Sequence, residues 1–241
     1  MRFNGRDPCT LHRALSRNKE IPPAYPAMDI ETIDTSAGSM LAHVSIAQDT
    51  YTLRMNVSAA TYAEAMEART ALAEWAGSSH EQLAVLEPTH MPGKAYNAIV
   101  KSISKFENRF DTVDVVFLLP RPVLYDVIQR SATAEGAETI TQVGGSTGTQ
   151  MKISVRLLED AQDLVIAADN YALFAISGSI SAGQTVEVDM QTCAVLIDGE
   201  HAESRLIYTD MDPDVELLPG RHTITASARG TITARWHDQW L

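Results

Sequence analysis

Residues 217–241 constrain the fold most, because they have the pattern of β-strands almost without interruption. The segment LLPGRHTITASARGTITARWHDQWL alternates apolar and polar residues nearly to Leu241, and Trp236 and Trp240 lie inside that pattern. Disordered termini are normally polar and poor in aromatic residues, whereas this segment is rich in residues that favour strands. We therefore expect paired strands here, tied into the core of a β-rich protein.

The residues before this segment continue the same pattern. Short apolar–polar alternations recur between turn signals at Asp169-Asn170, Ala182-Gly183, Asp198-Gly199 and Pro219-Gly220. They predict eight strands, at 151–157, 164–167, 173–177, 185–190, 194–197, 205–208, 222–228 and 232–236. The Asp198-Gly199 pair suits a type I′ hairpin, since both residues tolerate positive φ. Such a series favours an antiparallel β-sandwich of jelly-roll or galectin-like type.

The first half of the chain also has strand patterns. The predicted strands are 28–34, 49–57, 83–87, 95–104 and 111–119, with residues 41–47 as a partner for 49–57 and Asn108 in a hairpin turn. Each has alternating or continuous apolar residues bounded by turn formers. Pro120 and Pro122 then end the last of these strands.

One helix interrupts these strands, over residues 61–76. Thr61 and Glu64 form a capping-box pattern at its start, and an apolar stripe follows. Trp75 lies in its last turn, and Gly77 can supply a left-handed C-terminal cap. The fold class we expect is therefore mainly β: a β-rich α+β N-terminal domain with one helix, followed by an antiparallel β-sandwich.

Length and local composition predict two domains. The chain has 241 residues, and domains commonly run to about 100–150 residues. Residues 131–149 (SATAEGAETITQVGGSTGT) are rich in Ser, Thr, Gly and Ala, a composition typical of a linker. We expect an N-terminal domain at 1–130, a linker at 131–149 and a C-terminal domain at 150–241.

Charge argues against nucleic-acid binding. The formal net charge is −12; residues 1–130 hold 13 Lys and Arg against 15 Asp and Glu, and residues 131–241 hold 6 against 16. Affinity for DNA depends on neutralising phosphates, so sequence-specific nucleic-acid binding is not expected. We also expect no membrane span, since no segment has about 20 apolar residues. Cys9 and Cys193 are expected to be free thiols.

No residue pattern points to a reaction, a cofactor or a metal, and none of these is predicted. Gly144–Gly148 match G-x-S-x-G around Ser146, but a polar linker precedes them where a nucleophile elbow needs a strand, and no helix follows. The acidic residues Asp210, Asp212, Asp214 and Glu216 lack the central Gly of an EF-hand loop. Trp75, Trp236 and Trp240 are read first as packing residues and alternatively as sugar-stacking platforms.

The order of these elements resembles the siphophage distal tail protein (Dit) family. In the first half the resemblance is carried by LAEWAG, LAVLEP and the hairpin AYNAIVKSIS to DTVDVVFLLPRPVLYD; in the second, by FAISGSISAGQTVEVDMQTCAVLIDGE, the Pro-Gly turn, HTITASA and TITARW. It covers nearly the whole chain. The signature residues are Trp75, Gly77, Gly178, Gly183, Asp198, Gly199, Pro219, Gly220, Trp236 and Trp240.

The resemblance implies a structural protein with no catalytic role. Six copies would form a ring through their N-terminal domains at the distal end of the phage tail, with galectin-like C-terminal domains outside. The ring would join the tail-tube protein to the tail-associated hub protein and offer positions for receptor-binding or tape-measure proteins. Exposed strand edges in 41–57 or 111–119 are expected to contribute to self-association. The alternative is a carbohydrate-binding adhesion module of a virion or cell surface.

Overall fold

The structure is a computed structural model that describes residues 1–24, 28–35, 38–80, 82–106, 108–207 and 215–241; of residues 34, 35 and 38–45 it describes the backbone alone. Two compact units are present, 1–125 together with Leu241 (unit 1) and 126–240 (unit 2). Asp210, Asp212 and Asp214 of the acidic run lie outside the described residues.

In its described residues, unit 1 contains one α-helix and most of the first nine strands. The elements are β1 (Arg2–Phe3), β2 (Leu15–Ile21), β3 (Met28–Thr35), β4 (Gly38–Ile46), β5 (Asp49–Ser58), α1 (Tyr62–Ala76), β6 (Ala84–Glu87), β7 (Lys94–Ile103), β8 (Phe110–Leu119) and β9 (Leu124–Asp126), which ends in unit 2. The main sheet is antiparallel, in the order β1-β6-β7-β8-β5-β2. The alternation that predicts β5 and β8 is confirmed, because their apolar residues are buried on one face.

The prediction that residues 41–47 pair with 49–57 is wrong. β4 pairs with β3 in a separate two-stranded sheet, here called the ribbon (residues 28–46). β5 instead lies between β2 and β8. Apolar alternation predicts a strand but does not select its partner, and this strand pairs with the neighbour that precedes it.

Helix α1 begins as predicted and ends differently. The Thr61 hydroxyl accepts a hydrogen bond from the Glu64 N–H at 3.1 Å, and the Glu64 carboxylate accepts one from the Ala60 N–H at 2.7 Å. Gly77 is not a left-handed cap: its φ is −76°, and the chain continues into a 3-10 turn, Gly77–Ser79. His80 takes the left-handed conformation instead, at φ 49°.

Unit 2 is all β in the residues that the structure describes, apart from one 3-10 turn. Its strands are β10 (Arg130–Val143), β11 (Lys152–Leu157), β12 (Ala161–Ala168), β13 (Tyr171–Ile180), β14 (Thr185–Asp189), β15 (Ala194–Ile197), β16 (Glu200–His201), β17 (Gly220–Trp236) and β18 (Gln239–Trp240). The order is β13-β12-β17-β11-β14-β15-β16, with β10 also on β17.

Strand β17 connects the two halves of this sheet. Its first half pairs with β12 and its second half with β11, while β10 follows it along nearly the whole length. Apolar side chains from both halves, such as Ile166 and Val155, belong to one buried cluster. The predicted sandwich is confirmed, since two layers share this core.

Three predictions in this half are wrong. Residues 131–149 are not a linker, because β10 occupies 130–143 and is paired throughout with β17. Gly230 does not end a strand; a Cβ there would lie 2.7 Å from the Arg156 carbonyl oxygen, so glycine permits close approach of β11. The strand predicted at 205–208 does not begin at Arg205, because residues 203–205 form a 3-10 turn; Leu206 then makes a single antiparallel bridge with Ile176, and Tyr208 lies outside the described residues.

Candidate assembly surfaces

Trp75 is a core residue of unit 1. Only 1% of it is exposed, and its ring contacts Phe3 and Phe117 edge-on, with centroids 5.8 and 6.0 Å away. Its Nε1–H donates to the Arg6 carbonyl at 3.2 Å. Trp75 therefore ties the helix to β1 and β8, which are far apart in sequence.

Glu20 joins the two ends of the main sheet. Its carboxylate accepts hydrogen bonds from the Tyr51 hydroxyl at 2.7 Å and from the Thr89 N–H at 3.0 Å, and the Met1 ammonium lies at 3.2 Å. Arg17 lies 3.3 Å away and also forms an ion pair with Asp7 at 3.2 Å. Met1 precedes β1 and Glu20 is in β2, so contacts to the Glu20 side chain link the two terminal strands of this sheet, which are not neighbours in the strand order.

The environment of Glu20 strongly favours its charged form. Burial opposes the charge and by itself would raise the pKa, but hydrogen bonds from Thr89 and Tyr51 outweigh it and hold the Glu20 pKa at about 2. The same contact and burial raise the pKa of Tyr51. No local motif marks this cluster in the sequence, because Tyr51 and Thr89 lie 31 and 69 positions after Glu20.

The ribbon presents apolar side chains to solvent. Met28, Ile30 and Ile33 are 51%, 61% and 60% exposed. Asp29 and Glu31 alternate with them and are also exposed. A two-stranded ribbon is marginally stable alone, and exposed apolar residues in such a row are typical of a surface that another chain covers.

The expected strand edges in 41–57 and 111–119 are only partly available. β5 and β8 are inner strands of the main sheet, but residues 49–51 of β5 pair only with β8, and residues 111–113 of β8 pair only with β5, so each strand keeps a short open edge. Within 41–57, residues 41–48 lie outside the main sheet, and 41–46 of these belong to the ribbon. Unit 1 therefore has fewer candidate surfaces than the sequence predicts.

The turn residues of unit 2 that the sequence singles out occupy tight positions. Asp198 and Gly199 have φ of 51° and 83°, as a type I′ turn between β15 and β16 requires. Gly183 has φ 89° in the turn before β14, and Gly220, after Pro219, has φ 150° at the start of β17. These residues set strand connections and form no pocket with one another.

The side chain of Arg205 covers part of the outer edge of β13, the first strand in the sheet order of unit 2. Gly178, at φ 87° in β13, donates its N–H to the Asp163 carboxylate at 2.6 Å. The Arg205 guanidinium donates to the carbonyls of Ser177 and Ser179 at 2.6 and 3.1 Å. An unpaired strand edge invites aggregation, and Arg205 occupies acceptors that another strand would need.

Ser146 lies in a structural crossing rather than at a nucleophile elbow. Its N–H donates to the Gln239 carbonyl at 2.8 Å. A Cβ on Gly145 would lie 1.9 Å from that same oxygen, and one on Gly144 would lie 2.6 Å from the Asp238 carboxylate. The glycines thus allow the backbone to approach the last strand, and β11 follows where the motif requires a helix.

Asp238 organises the end of unit 2 and is a residue that sequence reasoning missed. It is buried, and its carboxylate accepts from the Trp236 Nε1–H at 3.0 Å and the Gly144 N–H at 2.8 Å. Arg130 lies 3.3 Å from its second oxygen. In the sequence Asp238 is a single Asp between Trp236 and Trp240, and this pattern does not predict its contacts with Gly144 and Arg130.

The tryptophans offer little to a sugar. Trp75 is enclosed, Trp236 is only 5% exposed, and Trp240 is half-buried in β18. A shallow cavity of 150 Å³ lies on the face of β11, β14, β15 and β17, and its described lining contains no aromatic residue. An ion pair of 2.9 Å between Lys152 and Asp189 spans part of it. Of the three tryptophans, only Trp240 therefore keeps a partly exposed ring that a sugar could contact.

Other chemistry finds no support in the described parts of the chain. Over those ranges, no three His, Cys, Asp or Glu residues are grouped so that they could hold a metal ion. None of the described helices is long and apolar enough to cross a membrane. Cys9 and Cys193 are both free thiols.

Comparison with known proteins gives one family match, over part of the chain, and one fold. Residues 144–240 match the siphovirus-type tail component family, C-terminal domain. No curated protein sequence matches the chain. The Dit protein (gp 19.1) of phage SPP1, described as a paradigm of the hub adsorption apparatus in phages that infect Gram-positive bacteria, superposes with a TM-score of 0.79 and 11% identity, over 99% of this chain and 98% of that chain.

Two structures of the phage p2 baseplate in its activated conformation are more distant. The form with Ca has a TM-score of 0.53 and 6% identity, covering 93% of this chain and 90% of that chain. The form with Sr has a TM-score of 0.52 and 7% identity, covering 92% and 90%. At these identities the likeness establishes a shared fold over both units.

Proposed function

We propose that the whole chain is a distal tail protein, a structural part of the phage tail tip, because residues 144–240 match the siphovirus-type tail component family, C-terminal domain. The observation that carries this proposal is the superposition on the SPP1 Dit protein over 99% of the chain. This superposition includes unit 1, which the family match does not cover.

In this role the protein acts through its shape. Six copies form a closed ring at the distal end of the tail, through unit 1, and the ring joins the tail-tube protein to the tail-associated hub protein. A head-to-tail ring needs two different complementary surfaces on each copy. The exposed apolar row of the ribbon supports self-association, because burying it in a neighbour removes apolar surface from water.

Unit 2 is the candidate for docking further parts. It carries most of the net negative charge, which keeps it soluble outside a ring. Receptor-binding or tape-measure proteins are the partners proposed for the assembled tip. No cofactor is needed for any of these contacts.

The test is the oligomeric state of the purified full chain, alone and with the tail-tube protein of the same phage. Light scattering after size exclusion should give six copies at high concentration, and negative-stain electron microscopy should show closed rings. A chain that stays monomeric in both settings would contradict the proposal. Saturable binding on a glycan array by such a monomer would favour the adhesion alternative.

A further inference from the structure

Both ring nitrogens of His222, in β17, lie against hydrogen-bond acceptors. Nδ1 is 2.6 Å from the Asp169 carboxylate, and Nε2 is 2.6 Å from the Leu218 carbonyl oxygen. A carboxylate and a carbonyl only accept, so each contact needs an N–H of the ring. A neutral imidazole has one N–H and can form one of the two bonds, whereas a protonated imidazole has two and forms both.

The Asp169 carboxylate is fixed and charged. Asp169 lies in the turn between β12 and β13, where its other oxygen accepts from the Thr223 N–H at 2.8 Å and its own N–H donates to the Thr223 carbonyl at 2.9 Å. The Thr223 N–H, together with the contact to His222, holds the pKa of Asp169 below its ordinary value of 3.8. The carboxylate is therefore charged over the range in which histidine normally changes its charge, about pH 5 to 8.

The Leu218 carbonyl belongs to a second segment, residues 217–219, which leads into β17. Leu217 is buried, and its N–H and carbonyl are both bonded to Thr149, at 2.9 and 3.0 Å. The side chain of Leu218, by contrast, is 65% exposed. His222 therefore joins two segments that are far apart in sequence, the β12–β13 turn and residues 217–219.

The strands around His222 bring no further charge against its ring in the part of the chain that the structure describes. Arg221 precedes His222 on β17, so its side chain lies on the opposite face of the strand. Thr141 is opposite His222 on β10, and the nearest charged residue of that strand, Glu138, is exposed three positions away.

The two joined segments carry few other titratable groups among their described residues. Glu216, just before residues 217–219, lies against Gly148, where an added Cβ would be 3.0 Å from its Oε2. Tyr171, at the start of β13, is 69% exposed. His222 and Asp169 are thus the pair whose protonation decides the contact.

We propose that His222 is a pH-sensitive switch that joins the β12–β13 turn to residues 217–219 when its ring is protonated and releases residues 217–219 when the ring is neutral. The one N–H of the neutral ring stays with Asp169, because a hydrogen bond to a carboxylate is stronger than one to a carbonyl. The Leu218 carbonyl contact is therefore present at low pH and lost as pH rises. The switch lies within one copy and does not depend on the proposed ring.

Amide exchange at Leu217, next to Leu218, measures the release. H222N places an amide nitrogen at the position of Nδ1 and nothing at Nε2, so it imitates the neutral ring. At about pH 5.5 the Leu217 N–H should be protected about 10-fold more in the wild type than in H222N, because only the wild type has the charge-assisted bond. At about pH 8.5, where histidine is neutral, protection should be equal. H201N is the matched control, since His201 is exposed and its ring contacts Glu203 through Nδ1 alone in the described residues.

D169N should reverse the pH dependence. Its amide keeps an oxygen for the Thr223 N–H and places an N–H beside Nδ1, so a neutral ring accepts there and donates from Nε2 to Leu218. A protonated ring would instead direct an N–H at an N–H. In D169N the Leu217 N–H should therefore be protected at about pH 8.5, and this protection should fall about 10-fold at about pH 5.5.

Either of two exchange results would overturn the inference. One is equal protection of Leu217 in the wild type and H222N at the lower pH, and the other is the same pH dependence in D169N as in the wild type. The wild type also tests the switch alone, through NMR spectra of the His222 ring nitrogens and the Leu218 carbonyl carbon. Both nitrogens should be protonated at about pH 5.5, and the carbonyl shift should change with the same midpoint as the ring. A carbonyl shift that does not follow the ring contradicts the switch even if the variants fail to fold.

Discussion

Individual polar side chains stabilise unit 1 by linking segments that are far apart in sequence. Glu20 is the clearest case, since its charge is held by Thr89, Tyr51 and Arg17 at the point where the sheet closes. A charged, hydrogen-bonded carboxylate contributes more than a neutral pair, and removing it leaves its donors unsatisfied. The position should therefore be sensitive to an isosteric change.

We expect Glu20→Gln to lower the free energy of unfolding by about 2 kcal/mol at pH 7. The Glu20 pKa lies at about 2 in the folded chain, below its ordinary value of 4.5. Its contribution is therefore present above about pH 4.5 and is lost as pH falls toward 2. Urea unfolding at pH 7 and at pH 3 measures this contribution, with the exposed Glu74→Gln as control. The difference in the free energy of unfolding between wild type and Glu20→Gln should be smaller at pH 3. An equal difference at both pH values contradicts the stabilising role of the Glu20 charge.

Gly145 tests the close crossing at the end of unit 2. Gly145→Ala adds a methyl group 1.9 Å from a backbone oxygen at φ 95°, whereas Gly183→Ala adds one at φ 89° in open space. Both substitutions place alanine in a left-handed conformation, which costs about 1 kcal/mol. Only Gly145→Ala must also displace the last strand, so we expect it to lower the free energy of unfolding by at least about 3 kcal/mol. Thermal unfolding compares them, and equal losses would refute the steric explanation.

At the scale of elements, the edge of β13 depends on Arg205. Arg205→Ala should free the carbonyls of Ser177 and Ser179, cost about 1–2 kcal/mol and promote aggregation on heating. Light scattering during a thermal ramp measures the second effect. Arg229→Ala is the control, because Arg229 is exposed on β17 and its hydrogen bonds in the described residues, to Glu159 and Leu158, use backbone atoms that alanine keeps. The same aggregation in both variants would remove the role given to Arg205.

The strands that sequence predicts well have one clearly buried face. β5, β8 and β11 alternate apolar and polar residues because every second side chain enters the core. Helix α1 is found from its capping box, and the β15–β16 turn from Asp198-Gly199, since both signals are local. The fold class follows from these elements.

The elements that sequence misses lack that local signal. β10 is exposed over most of its first half, so it needs few apolar residues there. Its Ser, Thr and Gly residues are therefore compatible with a strand, although they are typical of linkers. Gly230 resembles a strand break, but its cause is the backbone of β11, which is distant in sequence. Glu20 and Asp238 are equally invisible, because their partners are assembled only by the fold.

At the scale of the whole molecule, charge limits what the chain can bind. A net charge of −12 repels phosphates, and free cations are too sparse to release many counterions. We expect no retardation of duplex DNA in a gel at about 0.15 M salt, with a basic DNA-binding protein as positive control. Saturable, salt-sensitive retardation would contradict this prediction.

The superposition on SPP1 Dit at 11% identity shows how few residues this architecture fixes. What the two chains share is element order, strand pairing and the alternation of side chains across each sheet, which many residue choices satisfy. The sequence of one chain therefore predicts the type of fold better than it predicts the surfaces.

Strand β17 gives the molecule a further property, which concerns mechanical load. It runs for 17 residues, Gly220–Trp236, and is hydrogen-bonded to β10 on one side and to β12 and then β11 on the other. At about 3.4 Å per residue it spans nearly 60 Å. A force along this strand strains all three ladders in shear at the same time, so their bonds resist together instead of rupturing one after another.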